Sequence, residues 1–538
     1  MEKNKNGNMQ LRKMTFFPPF ILLLLIVVVS LISKDTFLNL INNINNWIIA
    51  NVGWVFSIIA VGTVLVAIAA AFSKFGNVRI GGEDAKPEIS TFSWFTIALT
   101  TTMAAGVLFW GPAEPIAHLS APPTELTGIL PMSNEALKFS METMFLHWTF
   151  IPYAIYTVPA VVFGFMYYNA KRPFSITSEM APVLGKYADN KNTSKIIDAM
   201  TLFCIGAGMA GSLGQGIMNF CMSQGLDKEI MNMSGGIAEL TGMPSNASMW
   251  MIVAIVIAAI FIATAVSGLQ KGIKLCADIN VYGYVVFLLF LLFFGATAFV
   301  FNLGTEAFGG FVANFFEKSL LTGASADSQW PQWWTTFYWA SWMAWAPTSG
   351  AFMGRIAYGR TVKQTLGLYV GVCAMVSALW MILVGGNSLF AQISGAVDLV
   401  GVYNNVGVEA VPYSMLRSMP FSQVIIPLFL LLIFLSVVTA CNSNMTAMAG
   451  ISTQGITPDS PEAPAWLKIA WGVIVMTLAY IMIATVGVNG VKIIANFGGM
   501  FAGIIMLGTT ISCAILIFNH KKYDKTLKDG EDVLTDLQ

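Results

Sequence analysis

The sequence predicts an all-α, polytopic membrane protein, and three observations carry that expectation. Of its 538 residues, 56% are hydrophobic and 10% are charged, against about 25% charged in soluble globular chains. Mean hydropathy is +0.70. The apolar residues fall in long uncharged runs of the length, roughly 20 residues, that a helix needs to cross a bilayer. The 28 basic and 28 acidic residues cancel, so no net field draws nucleic acid and none is expected as a partner. The expected solvent is membrane lipid.

Twelve apolar cores follow in order: 16–33, 50–72, 92–113, 144–167, 197–224, 249–268, 281–303, 335–357, 365–388, 423–450, 466–488 and 493–518. The first follows Arg12 and Lys13 and has the look of a signal peptide, but the many later runs make it a first membrane helix. One membrane domain over 16–518 is therefore expected between a short tail at 1–15 and another at 519–538. Lys3, Lys5, Lys74, Arg79, Lys171, Arg172, Lys271, Arg355, Arg360, Lys521 and Lys528 fall in segments on one side of such a count. The positive-inside rule puts that side, with both termini, in the cytoplasm of a plasma membrane. An even number of spans agrees. Cys204, Cys221, Cys276, Cys373, Cys441 and Cys513 form no Cys-x-x-Cys pair, so neither a metal site nor a disulfide framework is expected.

No ring of charge or filter motif suggests a channel, and no cluster of His, Asp or Cys along the chain suggests an enzyme. Transporters use helices that break at the midplane. The third run, Thr100-Thr101-Thr102-Met103-Ala104-Ala105-Gly106, and the eighth, Ala344-Trp345-Ala346-Pro347-Thr348-Ser349-Gly350, both mix residues that weaken a helix. They lie five spans apart and would open two inverted five-helix repeats, spans 3–7 and 8–12. Small residues also simply permit close helix packing.

The eighth run carries the chemistry. Trp334, Tyr338, Ser341, Trp342 and Trp345 share one helical face. An interfacial belt explains Trp330, Trp333 and Trp334, but Trp342 and Trp345 lie two or more turns deeper. In the fourth run, Pro152 can kink the helix and splay Trp148, Tyr153 and Tyr156 around a cavity, although ordinary packing accounts for them equally well. A quaternary ammonium has no N–H to donate, and its diffuse charge is held by indole and phenol faces at about 0.5–2 kcal/mol per ring. A methylated ammonium compound is the small-molecule partner these residues predict.

These residues resemble the betaine/carnitine/choline transporter family. The resemblance rests on Gly111-Pro112-Ala113-Glu114-Pro115, on His147-Trp148-Thr149 with Pro152 and Tyr156, and on the tract from Trp334 through Trp345 to Arg360. Phe16-Phe17-Pro18-Pro19 and Gly268-Leu269-Gln270-Lys271-Gly272 are nearest in wording to the carnitine-exchanger branch. The resemblance implies a LeuT-type fold with two extra N-terminal helices, a homotrimer and a bacterial source. It implies a substrate box of Trp148, Tyr153, Tyr156, Trp342 and Trp345, an unwound stretch from Thr102 to Gly106 with the Met103 backbone facing substrate, and Ser341 where Trp is usual. For coupling it points to Thr439, beside an Ala440 that stands where a Ser oxygen is usual, and to Lys274 in the place of a cation. Lys274 is equally well a positive-inside loop residue. The missing serine and the missing Gly-x-Gly-x-Gly favour sodium-independent uptake or substrate/product exchange; a sodium-coupled symporter is the alternative, and a channel or receptor of the same fold is the alternative from another class. No cofactor is expected. Glu114 and His147 are expected to be structural, and the segment from Glu306 to Leu320 to lie at the membrane surface or in a subunit contact.

Overall fold

A backbone without water must satisfy its own hydrogen bonds, and helices do so within one segment. In the computed structural model, residues 9–103, 105–221, 247–268, 272–456, 462–486 and 488–527 are described. Within them the long helices are α1 (Lys13–Ile32), α2 (Lys34–Phe72), α3 (Thr91–Thr102), α4 (Ala105–Ser120), α5 (Asn134–Trp148), α6 (Phe150–Gly164), α7 (Lys191–Cys221), α8 (Ala247–Val266), α9 (Lys274–Phe294), α10 (Thr297–Ala313), α11 (Phe337–Ile356), α12 (Ala374–Ile393), α13 (Ser422–Ile451), α14 (Ala465–Val486) and α15 (Val488–Tyr523). Lys3, Lys5, Ala104, Leu269, Gln270, Lys271 and Lys528, invoked above, lie outside the described residues.

Ten described stretches are long and apolar enough to span a membrane, and α3 with α4, bent by 55° at their junction, makes an eleventh. The remaining run of the sequence count is α11, a 20-residue helix whose Trp, Tyr, Ser and Thr lower its hydropathy. Exposure sorts the helices by solvent. Leu22, Leu24, Leu25 and Ile32 of α1, and Ile252 and Ile255 of α8, stand at the surface, where lipid meets them. From Ile151 onward every residue of α6 is buried, and α11 is buried except at Ser341, Trp342 and Arg355. These two helices pack against each other at the centre, with α15 and α7 against α11.

α11 corrects one expectation: it runs unbroken through Pro347 and Gly350. Its glycines serve contact. A Cβ at Gly350 would lie 2.4 Å from Cβ of Pro159, and one at Gly354 would lie 2.3 Å from the Ala160 carbonyl oxygen. The missing side chains let α11 and α6 touch backbone to backbone.

The described loops predicted to share one side do meet at one end of the bundle. Gln10–Leu11 pairs antiparallel with Thr453–Gln454. Arg12 binds Asp198 at 2.6 Å and the Ile451 carbonyl at 2.8 Å. Arg79 binds the Gly359 carbonyl, and Asn169 joins the Arg79 carbonyl to Asp524.

Candidate functional site

The site begins at a break in the fourth span. α5 stops at Trp148, Thr149 leaves helical geometry at φ −117° and ψ −114°, and α6 resumes at Phe150. Pro152 has no N–H to return to the Trp148 carbonyl. Ser377 Oγ on α12 donates there instead, at 2.7 Å. The neighbouring His147 carbonyl accepts Trp342 Nε1 at 3.1 Å. The break therefore supplies the oxygens that fix α11 and α12 against it.

Around this junction the rings converge. Ring centroids of Trp148 and Trp342 are 5.2 Å apart at 81°, and those of Tyr156 and Trp342 are 6.0 Å apart at 69°. Tyr338 lies 5.1 Å from Trp148 and stacks on Trp342 at 6.2 Å. Edge-to-face contacts of this kind are favourable pairings. Two small cavities adjoin the rings. One, about 10 Å³, is lined by Thr102, Val107, Tyr153 and Ser377 together with Trp148, Tyr156 and Trp342. The other, about 30 Å³, shares those three rings and adds Trp110, Ser341 and Trp345. Each is about the space of one or two waters. Among the described residues, none that is charged lines either cavity. Trp345 fits because Gly208 faces it: a Cβ there would lie 2.9 Å from the indole.

Trp148, Tyr156 and Trp342 thus come together in both cavities, Tyr153 in the smaller, and Ser341 and Trp345 in the larger. Met103 lines neither. Its side chain is fully buried and its carbonyl accepts Tyr284 OH of α9 at 3.3 Å. Thr439 Oγ1 donates to its own helix and lies 3.4 Å from the Thr100 carbonyl oxygen. Beside it, Thr101 and Ser443 hydroxyls meet at 2.9 Å, a pairing that the sequence reading missed. Lys274 opens α9 half-buried, one turn before Asp278, which accepts Thr96 Oγ1 at 2.6 Å. Among the described residues no hydrogen bond or ion pair joins it to Thr439.

Glu114, expected to be structural, is a hub of the site. Its Oε1 faces His147 Nδ1 at 2.6 Å and His118 Nε2 at 3.1 Å. Its Oε2 accepts Trp148 Nε1 at 2.7 Å and the Tyr338 hydroxyl. All are buried. Glu114, His118 and His147 present ligand atoms within 4.8 Å of one another, close enough to chelate a cation, but both Glu114 oxygens, both His147 nitrogens and His118 Nε2 are already hydrogen-bonded. The i, i+4 spacing of Glu114 and His118 was the available signal.

Broken membrane helices around a buried, uncharged aromatic site define the class: a multi-pass membrane transporter. The chain belongs to the betaine/carnitine/choline family of transporters, whose profile matches residues 14–522. It is 28% identical to a probable glycine betaine transporter of Desulfitobacterium hafniense (strain Y51), covering 91% of this chain and 94% of that one. It is 26% identical to the ectoine/hydroxyectoine transporter of Virgibacillus pantothenticus, covering 85% and 86%, and 27% identical to the glycine betaine transporter OpuD of Bacillus subtilis (strain 168), covering 89% and 89%. These relatives are bacterial transporters, not enzymes.

Proposed function

We propose that the protein moves glycine betaine or a similar quaternary ammonium compound across the cell membrane by alternating access of two inverted repeats, spans 3–7 and 8–12. The observation that carries this reading is the meeting of Trp148, Tyr156 and Trp342 around cavities with no charged lining. Such a site suits a cation that cannot be hydrogen-bonded. The glycine betaine relatives support the guest, and the ectoine relative marks the nearest competitor. Uptake of labelled betaine into proteoliposomes tests it. Trp342→Ala is expected to reduce uptake to background while the protein stays folded; unaltered uptake contradicts the box. Counterflow on trans-loading separates a carrier from a channel.

The gathering of basic loops supports cytoplasmic termini. The exposed Val312 and Phe316, at and just beyond the end of α10, support a subunit contact in a homotrimer. Uptake or exchange without sodium remains the proposed coupling, since Ala440 offers no oxygen. The Thr101–Ser443 hydroxyl pair beside Thr439 favours sodium symport as the second reading, because Na⁺ takes hard oxygen ligands. Uptake with K⁺ replacing Na⁺ decides between them.

A further inference from the structure

Glu114 lines neither cavity, yet it touches the rings that do. Trp148 Nε1 can only donate, so Oε2 must accept it. The Tyr338 hydroxyl donates to the same oxygen. His118 presents Nε2 to Oε1, while its Nδ1 has no partner among the described residues. That pattern fits a neutral ring with its proton on Nε2; an imidazolium would leave a buried N–H unpaired. His147 can donate from Nδ1 and accept the Thr335 hydroxyl at Nε2, 3.1 Å away. With this assignment the carboxylate is an acceptor only, the role of an ionised acid.

An anion that receives an indole N–H and a phenol O–H does two things. It fixes the rotation of both rings, and it polarises their donors, which enriches the π faces that attract a cation. We propose that Glu114 is a positioning residue that sets the cation affinity of the box through Trp148 and Tyr338, without contacting the guest. This rests on the quaternary-ammonium reading above and names what tunes that site.

The test uses two guests of one shape, glycine betaine and 3,3-dimethylbutanoate, which carries carbon where betaine carries nitrogen. Binding to the full-length purified protein is followed by tryptophan fluorescence, with the isostere measured directly and by competition. The wild type is expected to prefer betaine. Glu114→Gln keeps the side chain's shape and removes its charge. It is expected to weaken betaine about tenfold and not to weaken the isostere. Equal weakening of both guests, or unchanged betaine affinity, overturns the proposal: the first outcome is what a merely structural role produces. If the wild type binds the two guests equally, the aromatic box itself has failed and takes this proposal with it. Tyr338→Phe keeps the ring and removes one donor, so it serves if Glu114→Gln does not fold. It is expected to show a smaller loss confined to betaine, and a loss shared by both guests overturns the proposal again.

Discussion

The third and eighth spans both carry the small residues, glycine and proline that suggest a weak helix, and they end up differently. The third divides into α3 and α4, bent by 55°. The eighth is the single helix α11. Local chemistry explains part of the contrast. In α3 the hydroxyls of Thr100 and Thr102 bond back to the Thr96 and Ala98 carbonyls, a competition that bends helices. α11 packs closely on α6 and α15 and stays unbroken. One helix contributes a joint and the other contributes rings, so the two spans are alike in composition and unlike in task.

The largest expected effect strikes the unbroken helix. Gly354→Leu would push a side chain into the Ala160 carbonyl. It is expected to abolish folded protein, seen as loss of the monodisperse peak on size-exclusion chromatography. Next, Ser377→Ala strands the buried Trp148 carbonyl at the break in the fourth span. A lost partner of this kind costs about 1–3 kcal/mol, and thermal unfolding followed by tryptophan fluorescence is expected to shift down by a few degrees. Gly106→Ala sharpens the comparison from the bent side. Alanine favours helix over glycine by roughly 0.5–1 kcal/mol, so stability is expected to hold or rise while the rate of uptake falls. If uptake is unchanged, the joint needs no glycine.

The smallest effect is local and depends on pH. Glu409, in the turn Val408–Ala410 that packs on α4, is pushed up to about 7 by burial. An acid whose folded pKa is raised keeps its proton in the folded state after the unfolded chain has lost it. Its stabilising effect is full below the ordinary carboxylate value of 4.5 and declines as pH rises to about 7. Hydrogen exchange in residues 399–417, corrected for intrinsic rate, is expected to be faster at high pH, with α11 unaffected and Glu409→Gln insensitive.

Much of this architecture was legible because lipid leaves few options: a run of apolar residues that long must span. The rings were legible because Tyr338, Trp342 and Trp345 fall on one helical face, and the kink because a proline's missing N–H is written in the chain. The continuity of α11 was not legible, since Gly350 and Gly354 look the same whether they weaken a helix or admit a neighbour. Glu114 was seen as a structural acid, but apart from His118 on its own helix its partners come from positions 147, 148 and 338 on two further helices, and no linear spacing announces that meeting. The Thr101–Ser443 contact is hidden for the same reason.

The most direct test of the central claim is a cryo-electron microscopy structure of the protein with glycine betaine bound. The account expects the trimethylammonium group between the faces of Trp148, Tyr156 and Trp342, within about 6 Å of their centroids, with the cavities enlarged to hold it. Density for the guest elsewhere, or those rings presenting their edges to it, would contradict the account.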